Sequence, residues 1–374
     1  MLLINNDQVK ELLSIDQCID AIEEGLKEYY CGDATCRPRI DVWAPCGQAE
    51  GYYQWGTMEG TNRRYSVFAI RMKSDIAYWV KGGEGGWTQE KYCQAPGKFC
   101  GLIMLFSLGN AEPLAMINDG YLQHMRVGAT AGLGAKYLAR KDAAQVGMIG
   151  SGGMARTHAL AFAAVRPIKR IKVYSPNEIH REDYAREMSA VLGIETIPVE
   201  RARQAAQGSE IVSCCTDSVV PVIKGEWLEE GSFLTTVKGG VEIDARTLER
   251  VNLFMTFSPN VATSRTHIEA ENPAQRISGR HKAYVAGRPE DISRIPKVER
   301  VKPVDSSKVF SFRDLLAGTA KGKEDNRQIL SLGGGQGIQG IQFASVGGLT
   351  YHLAKEKSLG RGLPTEWFLQ TIRN

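Results

Sequence analysis

One junction near the middle of the chain constrains the fold more than any other feature. A short apolar run at 145–149 is followed by Gly150-Ser-Gly152-Gly-Met-Ala155, so the pattern G-x-G-x-x-A lies between a predicted strand and a predicted helix. The first glycine allows a tight turn, the second lets a pyrophosphate approach the backbone, and the small third residue lets helix and strand pack. The helix N-terminus offers N–H groups to phosphates. We therefore predict a dinucleotide site here; a β–α turn without a ligand is the alternative.

The segments after this junction alternate between helices and buried strands. Residues 154–165 and 183–192 are typical of helices, and residues 170–174, 210–215 and 232–237 are typical of short buried strands. Such alternation is characteristic of a parallel sheet with crossover helices. The sequence therefore predicts an α/β fold with a Rossmann unit.

The end of the second strand bears on which cofactor is bound. A site for NAD usually has Asp or Glu there, whereas this chain has Tyr174 or Ser175 and then His180 and Arg181. Basic groups favour the 2′-phosphate of NADP, although NAD remains possible and both side chains could simply be solvated at a helix start. The predicted cofactor contacts are Gly150, Ser151, Gly152, Gly153, Met154, Ala155, Ser175, His180, Arg181 and Thr216.

The rest of the chain differs in character from the Rossmann unit. Residues 8–30 have helical spacing, and residues 37–115 are rich in alternating aromatic and β-branched residues, which is typical of strands. A helix is predicted at 122–140, where glycines indicate close packing, and a last helix follows residue 335. Residues 258–328 show no clear period.

The overall composition excludes several classes of partner. The chain is 43% hydrophobic and 24% charged, and its net charge of +4 is too small to indicate nucleic acid or an anionic membrane. No apolar run approaches the ~20 residues of a membrane span, and no secretory signal begins the sequence. The eight cysteines form no CxxC pair. We therefore expect reduced thiols, no metal site and a cytoplasmic location.

Three charged residues alternate along an apolar strand. Arg71, Lys73 and Asp75 lie at every second position, so they share one face of the strand. Because such charges are rarely buried, the residues alone favour a solvent-exposed edge.

The chain resembles the ornithine cyclodeaminase/μ-crystallin family along nearly its whole length. The resemblance is carried by Met125–Ala131, the Gly150-Ser-Gly152 turn, Val219–Gly231 and Gln342–Gly347. It implies a Rossmann domain inserted into a discontinuous α+β domain for substrate binding and dimerisation. The implied boundaries are 1–126 plus 331–374 for the discontinuous domain and 127–330 for the NAD(P)-binding domain, and the implied assembly is a homodimer.

The resemblance also assigns roles to individual residues. Lys73 matches the family lysine that contacts substrate and helps in proton transfer, which reverses the exposed-edge interpretation. Arg126 matches the arginine that holds the substrate carboxylate. Arg39 matches a second carboxylate-binding arginine, although Arg37 could be the counterpart. His124 has no clear counterpart and is treated as structural.

The chain departs from the ornithine cyclodeaminases in one segment. Those enzymes carry an Asp in a Gly-x-Asp-x-Pro-Gly-Lys stretch, and the run Thr235–Asp244 has no matching Asp. Asp244 instead fits a helix-capping position. The family then implies an NAD(P)H-dependent oxidoreductase for a C–N bond, either an imine reductase or an amino-acid dehydrogenase, with a small amino, imino or oxo acid as partner. The alternatives are an ornithine cyclodeaminase and a non-enzymatic μ-crystallin-like NADP-binding protein.

Overall fold

The computed structural model contains two β-sheets joined by a layer of helices. It describes residues 1–48, 50–81, 87–218, 220–258, 282–293, 295, 305–320, 322–333 and 337–372. Much of the 258–328 segment, which shows no clear period in the sequence, therefore lies outside the described residues.

The first sheet has eight strands, all parallel, and it confirms the predicted Rossmann fold. Its order is β10-β9-β8-β11-β12-β16-β13-β15. The chain moves outward in one direction from β8 to β10 and then returns to the other side at β11, so a switch point lies between β8 and β11. The strands are β8 (Gln145–Ile149), β9 (Arg170–Tyr174), β10 (Glu195–Pro198), β11 (Ile211–Cys214), β12 (Phe233–Thr236), β13 (Leu253–Thr256), β15 (Val309–Ser311) and β16 (Leu330–Leu332).

The second sheet has nine strands and mixed pairing. Its order is β14-β2-β3-β4-β6-β7-β1-β17, and β5 pairs with the end of β4. The strands are β1 (Leu2–Ile4), β2 (Ile40–Pro45), β3 (Tyr52–Asn62), β4 (Val67–Lys81), β5 (Trp87–Tyr92), β6 (Cys100–Ser107), β7 (Pro113–Asn118), β14 (Lys282–Val285) and β17 (Arg361–Gly362).

The two faces of the nine-stranded sheet differ in burial. Along β4, residues 67, 69, 71, 73, 75 and 77 are buried, and the residues between them are partly exposed. We call the buried side the inner face and the other side the outer face. Arg71, Lys73 and Asp75 all lie on the inner face, so the interpretation of this strand as a solvent-exposed edge is wrong.

Helices lie between the two sheets and also on the other face of the parallel sheet. They are α1 (Asn6–Leu12), α2 (Ile15–Cys31), α3 (Gly120–Leu138), α4 (Gly153–Val165), α5 (Glu178–Leu192), α6 (Ala202–Ala206), α7 (Ala245–Arg250), α8 (Pro289–Ser293), α9 (Phe312–Leu316) and α10 (Gln339–Glu356). One hydrophobic cluster includes Ile22 of α2, Leu133 of α3, Phe162 of α4 and Val346 of α10. The two sheets therefore share a core.

Two helix predictions need correction, and one packing prediction is confirmed. The segment 8–30 is two helices, because Leu13 is extended and Ser14 caps α2 by accepting the N–H of Gln17. Helix α5 begins at Glu178, five residues before the predicted start, because Asn177 caps it. The glycines of α3 do pack closely: a Cβ on Gly128 would lie 2.6 Å from backbone atoms of Thr157 in α4.

The sheets divide the chain differently from the predicted boundaries at two places. Strand β14 lies within 127–330 but pairs with β2 in the nine-stranded sheet. Strand β16 runs across the boundary at 331 and pairs with β12 and β13 in the parallel sheet. The division into two domains remains a prediction.

Cys214 and Cys215 are buried, as expected of packing residues, and Asp244 caps α7 as predicted.

Candidate functional site

A row of five residues crosses the inner face, with Lys73 at its centre. The strand register aligns Asp41, Gly56, Lys73 and Gly101, and Asp119, just beyond β7, donates its backbone N–H to Gly101. A Cβ on Gly56 would lie 2.6 Å from Oδ1 of Asp41 and 3.1 Å from Cε of Lys73, and a Cβ on Gly101 would lie 2.0 Å from Oδ2 of Asp119. The glycines therefore leave room for three charged side chains.

Lys73 is buried and held by two neighbours. Its Nζ donates to Oε1 of Gln54 at 2.9 Å and to the carboxylate of Asp75. Burial, together with the positive charges of Lys91 and Arg39, lowers the pKa of Lys73 well below its usual value, and the charge of Asp75 opposes this. A lysine in this setting can both hold and release a proton.

Lys91 is a second lysine at the site, and it is half-buried. The sequence interpretation missed it. It lies on β5 opposite Ala77, which places it on the same face as Lys73. Burial and the charge of Arg39 lower its pKa to about 8. Its approach to Lys73 depends on the pairing of β4 with β5, which the sequence pattern does not reveal.

The structure distinguishes the two candidate arginines that precede β2. Nε of Arg39 donates to Oδ1 of Asp41 at 2.7 Å, and its side chain is largely buried beside the Lys73 cluster. Arg37 is 52% exposed, and its guanidinium is paired with the carboxylate of Glu59. Arg39 is therefore the arginine that lies with Lys73.

Arg126 is buried on α3 without a carboxylate partner among the described residues. Its guanidinium donates to Oε1 of Gln342 at 2.7 Å and to Oε1 of Gln123 at 3.0 Å. The amide of Gln342 is oriented by its own bond to the hydroxyl of Thr130 at 2.6 Å. Burial, and then the charge of Arg71, lowers the pKa of Arg126 to about 9. The guanidinium of Arg126 therefore has no negative charge hydrogen-bonded to it among the described residues.

Arg71 and Asp119 form an ion pair beside Arg126. Nε of Arg71 donates to Oδ2 of Asp119 at 2.5 Å. The other oxygen, Oδ1 of Asp119, is buried without a hydrogen-bond partner among the described residues. Both guanidinium groups lie over the ring of Phe343, with Arg126 at 4.7 Å and Arg71 at 5.6 Å from its centroid. Sequence reasoning identified neither Asp119 nor Phe343.

The glycine turn has the local geometry that its sequence predicts. Gly150 has φ +111°, and a Cβ there would lie 2.2 Å from the carbonyl oxygen of Cys215. At Gly152 a Cβ would meet no atom within 4 Å, so the backbone surface is open. Ala155 is completely buried where α4 crosses the strand. This cradle, which side chains at the glycine positions would fill or distort, fits a dinucleotide's pyrophosphate.

The start of α4 leaves its N–H groups without a side-chain cap. Helix α4 begins with Gly153 and Met154, and its N-cap residue Gly152 makes no capping hydrogen bond. The carbonyl of Ser151 accepts from Arg156, which also pairs with Glu187. Uncapped N–H groups at a helix start suit a phosphate.

The residues predicted to select the cofactor lie around the end of β9. Ser175 is buried, and its carbonyl accepts from Nη1 of Arg181 at 3.3 Å. The side chain of Arg181 also lies 3.5 Å from Glu178. His180 is exposed in the first turn of α5. Both basic residues are therefore close to the strand end.

Thr216 is fixed by a buried glutamate. Its backbone N–H and hydroxyl both donate to Oε1 of Glu242, at 3.1 and 2.7 Å, while the N–H of Lys238 donates to Oε2 at 2.8 Å. Burial raises the pKa of Glu242 to about 7. Glu242 thus ties together the loops after β11 and β12. It lies in the run that lacks the cyclodeaminase Asp.

The two halves of the site meet where α3 packs on α4. His124, two residues before Arg126, lies against the glycine turn, since a Cβ on Gly153 would be 2.4 Å from Cε1 of its ring. The hydroxyl of Thr157 donates to the carbonyl of His124 at 2.8 Å. The helix that carries Arg126 is therefore docked directly on the glycine turn.

Comparison with known proteins identifies the family. A model of the ornithine cyclodeaminase/mu-crystallin family matches residues 89–344. The chain belongs to this family. Its relatives include NAD(H)-binding reductases and dehydrogenases as well as a cyclodeaminase.

Several relatives of this ornithine cyclodeaminase/mu-crystallin family member match most of its length. The Δ1-pyrroline-2-carboxylate reductase of Thermococcus litoralis, solved with NADH and L-proline, is 26% identical, with a TM-score of 0.73 over 97% of this chain and 100% of that one. The alanine dehydrogenase of Archaeoglobus fulgidus is 26% identical over 260 residues, covering 67% of this chain and 72% of that protein. An archaeal alanine dehydrogenase dimer with bound NAD, 22% identical, shares the fold, with a TM-score of 0.69 over 97% of this chain and 99% of that one.

No group of three or more His, Cys, Asp or Glu side chains among the described residues is arranged to hold a metal ion. None of the helices that these residues form is both long enough and apolar enough to cross a membrane.

Proposed function

We propose that this protein is an NAD(P)H-dependent oxidoreductase that acts on the C–N bond of a small carboxylate-bearing substrate, as an imine reductase or an amino-acid dehydrogenase. The turn at Gly150 and Gly152 and the start of α4 would hold the dinucleotide. When bound, the nicotinamide supplies or accepts a hydride.

The observation that carries this proposal is the buried guanidinium of Arg126. Its hydrogen-bond partners among the described residues are two amide oxygens, which leave its charge uncompensated. A carboxylate would neutralise that charge and accept two parallel N–H bonds. The neighbouring Asp119 is already paired with Arg71, so it does not compete with the substrate carboxylate for Arg126. The same ion pair keeps Arg71 close as a second cation.

Lys73 is the proposed proton donor and acceptor. Reduction of an imine requires a proton at nitrogen, and oxidation of an amine requires its removal. The lowered pKa of Lys73 favours release of its proton, while Gln54 and Asp75 hold its ammonium group in place. Arg39 is held in place by its hydrogen bond to Asp41. It would bind the substrate carboxylate together with Arg126.

A substrate panel with two variants tests the proposal. Purified protein is assayed with NADPH and NADH against 2-oxo acids plus amines, cyclic imines and L-amino acids. We expect Lys73→Met and Arg126→Met each to lower kcat/KM about 100-fold or more, because each removes a group that contacts the reacting molecule. Exposed Lys98→Met and Arg170→Met, whose wild-type partners Gln94 and Glu195 lie on the surface, are the matched controls.

Two results would reject the proposal in different ways. Near-normal turnover in folded Lys73→Met and Arg126→Met would remove their assigned roles. Release of ammonia from ornithine with no net change in NADH would instead identify a cyclodeaminase. The run Thr235–Asp244 has no Asp that matches the cyclodeaminase one, which argues against that outcome.

We further propose NADP as the preferred cofactor. The support is the pair of basic residues beside the end of β9, Arg181 and His180, and the absence of an acidic residue at Tyr174 and Ser175. Michaelis constants for NADPH and NADH in the same assay test this, and a lower constant for NADH would reverse the assignment.

A homodimer is the assembly that we propose. The support is the outer face of the nine-stranded sheet, which is apolar yet partly exposed. Large exposed apolar patches mark interfaces. The inner face already carries the site, so dimerisation through the outer face would leave the site accessible.

A further inference from the structure

The site holds more cations than ion pairs among the described residues. Three carboxylates of the inner face each already hold a cation, in the pairs Arg39–Asp41, Lys73–Asp75 and Arg71–Asp119. Three more cations, Arg126, Lys91 and Lys238, have no carboxylate oxygen within 4 Å among the described residues. One of them, Arg126, is explained by the substrate carboxylate. The other two need a different explanation.

Lys91 lies at the end of the site away from Arg126. It pairs with Ala77, beyond Asp75 along β4, whereas Arg126 is beside Arg71. Arg39 lies between these ends, since it donates to Asp41, which the strand register aligns with Lys73. The inner face therefore carries cations at both ends of one continuous region.

Lys238 approaches the same end from the nucleotide-binding unit. It follows β12, its Nζ donates to the carbonyl of Asp217, and its charge contributes to the lowered pKa of Lys91. The charges of Asp217, Glu242 and Glu90 partly oppose the effect of burial on the pKa of Lys238.

A neutral donor adds to this end of the site. Gln89 lies two residues before Lys91 and so on the same face of β5. Its Nε2 is buried without a hydrogen-bond partner among the described residues. The neighbouring residues Thr88 and Ser218 form a β-bridge, which joins β5 to the loop after β11. Donors from both units therefore converge here, and an anion would satisfy them.

We propose that the substrate carries a second anionic group, as in a dicarboxylic imino or amino acid, and that Lys91 and Lys238 bind it from the two sides of the cleft. This inference rests on the proposed function, because it assumes that Arg126 holds the first carboxylate. A substrate with two carboxylates would span the region from Arg126 to Lys91, with its nitrogen near Lys73. A substrate with a distal amine would meet two lysines and be repelled.

Binding of unreactive acids tests the inference without requiring turnover. Calorimetry compares butyrate, succinate, glutarate and 3-phosphonopropanoate, with and without NAD⁺ or NADP⁺. We expect the acids with a second anionic group to bind about 10- to 100-fold more tightly than butyrate. Lys91→Met and Lys238→Met should each reduce this preference about tenfold, Lys91→Arg and Lys238→Arg should retain most of it, and Lys98→Met should leave it unchanged.

The outcomes separate this inference from the proposed function. Equal binding of butyrate and succinate, a preference that survives both methionine variants, or no binding of any acid would overturn the inference. Turnover of monocarboxylic substrates combined with equal binding would leave the oxidoreductase proposal standing alone. A preference for two anionic groups that depends on Lys91 and Lys238, without turnover of any substrate, would support the inference and contradict the oxidoreductase.

Discussion

At the scale of single residues, the site keeps cations where burial opposes their charge. Lys91 is half-buried near Lys73 and Arg39 and has no ion pair among the described residues. Burying a charge without a partner costs free energy that the fold must supply elsewhere. Proteins retain residues with such a destabilising effect where a ligand needs the charge.

Replacing Lys91 should therefore stabilise the protein. The folded-state pKa of about 8 lies below the usual value of 10.5, so the charged form destabilises the fold fully below pH 8, and this penalty disappears as the pH rises towards 10.5. We expect Lys91→Met to raise the free energy of unfolding by about 1 to 3 kcal/mol at pH 7. Urea unfolding at pH 7 and pH 9.5 should show a smaller gain at the higher pH.

The matched control for this prediction is the exposed Lys98. Its Nζ bonds only Gln94 among the described residues. Lys98→Met should therefore change stability little at either pH. A Lys91→Met protein less stable than the wild type at pH 7 would contradict the argument.

At the scale of elements, the β8–α4 turn uses its glycines for two different purposes. Gly150 has a left-handed backbone and touches Cys215, so it serves the fold. Gly152 has an ordinary φ of −83° and open space at its Cβ position, so the fold does not require a glycine there. We expect its small size to serve the proposed dinucleotide instead.

Alanine should act mainly on cofactor binding at position 152 and mainly on the stability of the fold at position 150. Gly152→Ala should lower the free energy of unfolding by less than about 1 kcal/mol and raise the cofactor dissociation constant about tenfold or more. Gly150→Ala should mainly destabilise the fold, because its Cβ would overlap the carbonyl of Cys215. Thermal unfolding and cofactor titration measure the two effects, with Gly362→Ala, also open at its Cβ, as control. Normal cofactor affinity in Gly152→Ala would refute the assignment of the turn.

At the scale of the whole molecule, the outer face of the nine-stranded sheet is apolar although it is partly exposed. The outer-face positions of the three central strands are partly exposed and mostly apolar, namely Phe68, Ile70, Met72, Leu102, Met104, Phe106, Leu114 and Met116. Met104 lies between Ile70 and Met116 in the register. A single chain would leave this patch in water, whereas a symmetric dimer would bury it.

A charge at the centre of this patch should therefore break the dimer. We expect the wild type to sediment as a dimer at micromolar concentration and Met104→Glu to sediment as a monomer, because an unpaired carboxylate in an apolar interface is costly. Val191→Glu is the control, since Val191 is 61% exposed on α5 and away from the sheet. A monomeric wild type would disprove the proposed assembly.

Local sequence patterns predicted the parts of the fold that depend on local structure. The strand, glycine turn and helix at 145–165 could be predicted because each residue's constraint comes from its immediate neighbours. The shared face of Arg71, Lys73 and Asp75 followed from the two-residue period of a strand. The same period could not tell which face would be buried, and the residues alone favoured the wrong side.

What the sequence by itself determined is the identity of the elements, the glycine turn and the alternation that places Lys73 between two charged neighbours. The tertiary structure alone decided that this charged face is buried, that Gly56 and Gly101 make room for Asp41 and Asp119, and that Lys91 and Lys238 approach one another from separate units. The physical reason is range: turns and strand faces are set by residues a few positions apart, whereas burial and charge balance depend on strand register and on the packing of α3 against α4. These contacts join residues far apart in the chain, so no local pattern records them.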